Sequence, residues 1–190
     1  METYIAILRG INVSGHKLIK MDHLITLCVG LGFENTKTYI QSGNIIFQFK
    51  KSKNKAIEKL LENALRSEYD FDVPVIIKTQ QEMQTVFENN PFLKKRNEDP
   101  TKLHATFLND IPEKSEVDTL QKVKYPPDEF IVDENCIYLF CPNGYGNTKL
   151  NNTFLENKLK VSATTRNWKT ITSLVKIADE TLKNKSNVTK

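Results

Sequence analysis

The chain has 190 residues, 39% hydrophobic and 26% charged, with a net charge of +4, 7 Gly, 7 Pro and 3 Cys. That composition excludes a disordered, collagen-like or disulfide-stapled chain. No apolar run approaches the roughly 18 residues that cross a bilayer, and no export signal is visible, so a cytoplasmic protein with no membrane contact is expected. Cys28, Cys136 and Cys141 are odd in number and lack metal-ligand spacing, as reduced thiols do.

Tyr4-Ile5-Ala6-Ile7-Leu8 is short, apolar and bounded by Gly10, which predicts a buried strand. Leu24, Leu27, Cys28 and Leu31 recur at helical spacing, with Gly32 placed as a C-cap. Lys37–Gln41 and Ile45–Phe49 flank Ser42-Gly43-Asn44, a hairpin signal in which Gly and Asn would supply the positive φ angles. Ile57, Leu60, Leu61, Ala64 and Leu65 mark an amphipathic helix. Val73 to Ile77 reads as an edge strand because it contains Pro74. Met83, Val86 and Phe87 mark a helix that stops near Asn90, ahead of Pro91.

The second half repeats the order. Leu103–Leu108 is a strand, Pro112–Val123 a helix, and Asp128–Asp133 with Cys136–Cys141 a hairpin around Glu134-Asn135. Leu150 to Leu159 is a helix, Val161–Thr165 a short strand, and Ile171 to Leu182 a closing helix. The expected fold is therefore α+β: a tandem duplication of two ferredoxin-like β-α-β-β-α-β units, each followed by an extra helix. The expected units are 1–93 and 101–190, joined by a polar linker at 94–100; a boundary near Thr79 is the alternative. On the first strand, Ile5 and Ile7 are taken to point at the helices. On the third, Asn44, Ile46 and Gln48 share a half-apolar face that something must cover.

Three segments carry a family resemblance: Leu8-Arg9-Gly10-Ile11-Asn12-Val13-Ser14-Gly15, Thr38 to Phe47, and Thr164-Thr165-Arg166-Asn167-Trp168-Lys169-Thr170. With Asn90-Pro91-Phe92 and Thr148-Lys149-Leu150 between them, the chain resembles the bacterial domain of unknown function 1697 family over nearly its whole length. Ser14 stands where that pattern usually has a second Gly. The resemblance implies a cytoplasmic two-unit α+β protein and supplies no activity.

The first loop follows a strand and precedes a helix, the setting in which backbone N–H groups cradle phosphates. Gly10 and Gly15 have Walker A spacing, but His16-Lys17-Leu18 follows where that motif requires Lys then Ser or Thr, so this is not an ATPase loop. Two readings stay open: a looser anion site using Arg9, Lys17 and Lys20, or a structural loop in which Asn12 bonds backbone. Ser42 and Asn44 are likewise either site residues or a turn. Arg166, Asn167 and Trp168 either hold a phosphate and stack a base, or cap and pack the last helix.

Topology places the Arg9 loop and the Ser42 turn at opposite ends of one sheet, so they are expected to meet only through the other unit. An RNA-recognition reading fails, because Asn44 and Ile46 stand where stacking rings belong. No acid–base pair, cofactor motif or metal spacing is legible; catalytic residues stay unassigned, and no cofactor or metal is expected. Residues 145–190 carry 9 basic against 3 acidic residues, and 110–135 carry 8 acidic against 3 basic. The function expected first is a binding module for an anionic, phosphate-bearing small molecule or nucleic acid. An enzyme on a small phosphorylated or nucleotide substrate and a protein-interaction module are the alternatives.

Overall fold

A computed structural model describes residues 1–134 and 136–186. It is an α+β protein with two four-stranded antiparallel sheets. Its packing divides the chain into two compact units. One comprises Met1–Gln84 with the chain from Ser173, and the other Thr85–Thr172.

The first unit runs β1 (Glu2–Leu8), α1 (Met21–Gly30), β2 (Glu34–Tyr39), β3 (Asn44–Phe49), α2 (Asn54–Tyr69) and β4 (Val75–Thr79). Its sheet has the order β2-β3-β1-β4, with Ile5 opposite Ile46 and Ala6 opposite Ile77. α1 ends as expected. Gly32 has φ +82°, and the N–H of Phe33 donates to Cys28 O at 3.1 Å, a turn that only a residue without a Cβ enters cheaply. Tyr4, Ala6 and Leu8 pack with Leu24, Cys28, Ile57, Leu61 and Leu65 in one core cluster. This reverses the expected facing, since Ile5 and Ile7 lie on the other side. The strand is apolar at every position from Tyr4 to Leu8, so alternation carries no clue to its inward face. The second face is covered, as expected: Ile5, Ile7, Asn44 and Ile46 are fully buried. Gln48 reaches the helix α7 (Trp168–Ser186), its Nε2 donating to Thr181 O at 3.5 Å.

The helix α3 (Gln80–Glu88) ends before Pro91. That proline then opens α4 (Pro91–Arg96), with Asn90 Oδ1 accepting the Phe92 N–H at 2.9 Å. Four of the seven expected linker residues therefore lie in helical turns: 94–96 belong to α4, and Pro100 opens a 3-10 turn that runs to Lys102. A capping Asn before Pro starts a helix as readily as Pro stops one, and burial of Phe92 holds it. The packing boundary, between Gln84 and Thr85, lies nearer the alternative at Thr79 than the stretch 94–100.

The second unit contains β5 (Leu103–Leu108), α5 (Lys114–Gln121), β6 (Glu129–Asp133), β7 (Cys136–Phe140), α6 (Asn152–Leu159) and β8 (Ala163–Asn167). Its order is β6-β7-β5-β8, again antiparallel throughout. Leu108, Leu120, Ile137, Leu139, Leu155 and Leu159 form its helix-facing core. On the opposite face Tyr138 Oη donates to Val86 O at 3.0 Å, and the Phe92 and Phe140 rings lie 5.9 Å apart. Glu134 turns at φ +47°, while Asn135 lies outside the described residues. Among the described residues no helix is long and apolar enough to cross a membrane.

Candidate functional site

Five of the expected site residues converge at one end of the first sheet. β3 runs antiparallel to β1 with Ile7 opposite Asn44, so the turn entering β3 abuts the chain leaving β1. Leu8 N donates to Gly43 O at 2.8 Å, and Arg9 N donates to Pro74 O at 2.9 Å. The Arg9 loop and the Ser42 turn therefore meet inside one unit, and the expectation of opposite ends is corrected. It overlooked that this antiparallel pairing brings the β1 exit beside the hairpin.

Asn12 holds the junction. Its Oδ1 accepts from Ile19 N at 2.8 Å, and its Nδ2 donates to Ile19 O at 3.0 Å and Gln41 O at 2.9 Å. At φ +54° it occupies the left-handed region that Asn tolerates best among side-chain-bearing residues. Across from it, Gly43 has φ +75°, and a Cβ there would lie 2.7 Å from Ile11 Cδ1 and 2.8 Å from Leu8 Cβ. The other positive φ of the turn falls at Ile40 and not at Asn44. Asn44 already belongs to β3; its buried Nδ2 donates to Tyr39 O at 3.0 Å and Ser42 Oγ at 3.2 Å. Asn12, Ser42 and Asn44 thus build the site's frame.

The same loop carries the charges. Residues 9–20 include Arg9, His16, Lys17 and Lys20 and no carboxylate. Lys17 Nζ donates to Asp72 O at 2.5 Å and lies 5.8 Å from the Phe71 ring, so one of its protons is committed to the neighbouring loop. The nearby Asp72 carboxylate faces Arg66 at 3.3 Å. Gly10, Ser14, Gly15, His16 and Lys20 are exposed, and beside them stand the exposed apolar side chains of Val13, Leu18 and Ile40.

The remaining three expected residues belong to the second unit and serve its frame. Arg166 Nη1 donates to Thr164 Oγ1 and Thr165 O, both at 3.0 Å. Burial pushes its guanidinium down to about 10, although part of the side chain reaches the surface. Asn167 Oδ1 caps α7 by accepting from Thr170 N at 2.8 Å. Trp168 is 3% exposed, its ring stacked on Phe87 at 5.8 Å and 11°. That leaves no open indole face for a base.

Sequence reasoning missed a polar network around Thr165. Its Oγ1 donates to Asn152 Oδ1 at 2.7 Å, accepts from Tyr145 Oη at 3.1 Å, and shares a 2.7 Å hydrogen bond with Thr106 Oγ1. His104 stacks on Tyr145 at 5.0 Å; burial lowers its pKa, offset in part by the Lys102 backbone. The only sequence signal was the paired Thr164-Thr165, which reads as ordinary strand composition.

All three cysteines are buried, with burial pushing Cys28 up to about 12 and Cys141 up to about 11. Among the described residues no group of His, Cys, Asp and Glu has the arrangement to hold a metal ion. A hollow of about 570 Å³ on the first unit is lined by His23, Thr26, Leu27, Gly30, Leu31 and Glu68 and offers one imidazole and one carboxylate.

A family model for a protein of unknown function, DUF1697, matches residues 1–138. The chain belongs to the DUF1697 family. The matched span includes both motifs of the loop end and stops short of Thr164–Thr170, so it is narrower than the nearly full-length resemblance expected. The structure is also similar to that of the conserved bacterial protein SP0830 from Streptococcus pneumoniae. The two share 23% identity and a TM-score of 0.74, over 93% of this chain and 98% of that one. At that identity the likeness shows a common fold. No curated protein matches the chain.

Proposed function

We propose that this DUF1697 protein is a binding module for an anionic, phosphate-bearing ligand, held at the loop end of its first unit. The observation that carries the reading is the convergence of the carboxylate-free segment 9–20 with the Ser42 turn. Arg9, Lys17 and Lys20 supply positive charge there, and exposed Gly10, Ser14 and Gly15 leave backbone within reach of a ligand. Asn12, Ser42 and Asn44 position the loop; Arg166, Asn167 and Trp168 are assigned to the scaffold of the second unit. A nucleic acid would have to use this end, because the sheet face that RNA-binding folds of this strand order present is buried here.

The fold reading goes with it. The shared strand order of the two sheets supports two ferredoxin-like units arisen by tandem duplication, with 1–93 and 101–190 as the repeated stretches. A matching detail supports it further: Glu62 accepts from Val75 N in one unit, as Glu156 accepts from Ala163 N in the other.

Calorimetric titration with inorganic pyrophosphate, a nucleoside triphosphate and a short oligonucleotide tests the function. Binding should weaken as salt rises, most steeply for the oligonucleotide. The double variant Arg9→Gln with Lys20→Gln should lose it, with circular dichroism checking that the variant still folds. No binding of any probe at low salt would discard the reading. The exposed Val13, Leu18 and Ile40 would then favour a protein-interaction surface.

A further inference from the structure

The four outer strands of the two sheets are finished differently. An edge strand presents N–H and C=O groups that template pairing with another chain unless something blocks them. On β4, the N–H groups of Val75, Ile77 and Thr79 donate to Glu62 at 2.9 Å, Glu58 at 3.1 Å and Glu82 at 2.7 Å. On β8, Ala163 N donates to Glu156 Oε1 at 2.8 Å, and Asn152 of the same helix takes the Thr165 hydroxyl. β2 slips register between Glu34 and Lys37, with Asn35 at φ +50°, a bulge that breaks the line of its edge.

β6 has none of these devices. It pairs with β7 in unbroken register from Glu129 opposite Phe140 to Asp133 opposite Cys136. Among the described residues, no hydrogen bond joins the outward backbone of Phe130, Ile131 or Val132 to another element. A groove of about 320 Å³ runs beside the strand, lined by Gln121, Val123, Lys124, Tyr125 and β6 itself. At the centre of β6, Ile131 is 41% exposed.

We propose that β6 is a strand-addition site for an extended basic peptide, one with Lys or Arg alternating with apolar residues. The unpaired edge supplies main-chain hydrogen bonds, and the surrounding charge selects the partner. Glu129 and Asp133 are the end residues of the strand, and Asp128 and Glu134 flank it. Arg96 neutralises Glu129 through paired bonds of 2.7 and 2.9 Å, and Lys124 stands in the groove wall. Among the described residues Asp133 and Glu134 face no cation. A second copy of the chain fits poorly. Antiparallel pairing of two β6 strands about Ile131 sets Glu129 against Asp133, and like charges directly opposite are destabilising. This site lies in the second unit and shares no residue with the loop end of the first.

The test uses the full chain, labelled with nitrogen-15 and titrated with the blocked heptapeptide Lys-Val-Lys-Val-Lys-Val-Lys and with its Glu-for-Lys counterpart. The basic peptide should shift the amide signals of Glu129 to Asp133 and slow their hydrogen exchange, and the acidic one should not. Asp133→Lys should weaken the basic peptide about tenfold or more, with Asp133→Asn falling between. If Asp133→Lys does not fold, Asp133→Asn is read alone and should still weaken binding. The proposal is overturned if the basic peptide leaves β6 unchanged, if both peptides act alike, or if neither variant weakens binding. Sedimentation showing a dimer joined through β6 would also overturn it, in favour of a second copy.

Discussion

The side-chain amide of Asn12 bonds the backbone of Ile19 as a neighbouring strand would, accepting from its N–H at 2.8 Å and donating to its carbonyl at 3.0 Å. A third bond, to Gln41 O at 2.9 Å, extends the clamp to the hairpin turn. One side chain therefore fixes the loop that carries Arg9, Lys17 and Lys20. Asn12→Ala should destabilise the protein by about 2–3 kcal/mol, because the groups it pairs lose their partner and Ala tolerates positive φ poorly. Asn12→Asp keeps the acceptor for the Ile19 N–H but sets a carboxylate oxygen against the carbonyl oxygens of Ile19 and Gln41, so its loss should be at least as large as that of the Ala variant. Urea unfolding of the three proteins decides the order.

Trp168 and Arg166 adjoin one another at the junction of β8 and α7 yet differ in what holds them. Trp168→Ala empties a buried site against Phe87 and Tyr138 and should cost about 3–5 kcal/mol. Arg166→Ala removes bonds to Thr164 and Thr165 and should cost about 1–3 kcal/mol, more than an exposed charge would. Denaturant melts give both numbers. An Arg166→Ala loss within error of zero would return that guanidinium to the list of ligand-binding candidates.

His104 should make stability depend on pH. Its folded pKa lies below the ordinary 6.5 because burial disfavours the imidazolium. The unfolded chain then binds the extra proton more readily than the folded one. The contribution is fully present above about pH 6.5 and is lost as pH falls from there through the folded pKa. Melting temperatures measured from pH 7.5 down to 5 should fall for the wild type and less steeply for His104→Gln. Parallel curves would show that another group titrates.

The thiols should be silent in the folded state. Cys28, Cys136 and Cys141 are all buried, and burial raises the pKa of Cys28 and Cys141 well above neutrality. A chromogenic disulfide reagent at pH 8 should label none of the three until denaturant is added, and then all of them. Rapid labelling of Cys28 in native buffer would contradict its place on the buried side of α1, in the core with Tyr4, Ala6 and Leu8.

Much of the fold is legible because its elements announce themselves locally. Leu24 to Leu31 ends at Gly32 with the expected left-handed turn, and the Ser42-Gly43 turn and both hairpins lie where alternation and turn residues put them. What was misread needed information from outside the segment. From Tyr4 to Leu8, β1 alternates no polar residue that would betray its outward face, and α4 was hidden because its polar last turn resembles a linker. The meeting of Arg9 with the Ser42 turn depends on strand pairing, which residue patterns leave unspecified. Asn12 could be named as a backbone-bonding residue from its type, but its partner Gln41 lies 29 positions away. The Thr165 network joins residues as far apart as 59 positions, beyond any local periodicity.

The last helix sets the schedule on which the first unit completes itself. Gln48 bonds Thr181, 133 positions later, and Gln80 bonds Asp179, 99 positions later. On a ribosome, residues 1–84 emerge with four strands and two helices ready to collapse around Tyr4, Ala6 and Phe47. The face that carries Gln48 then lacks its α7 partner until the stretch from Ser173 has been translated. At about 5–20 residues per second, the nascent sheet spends several seconds without that partner. The helix that supplies it is the last described element to be made, so a chaperone that shields nascent surface has its window on this protein before α7 exists.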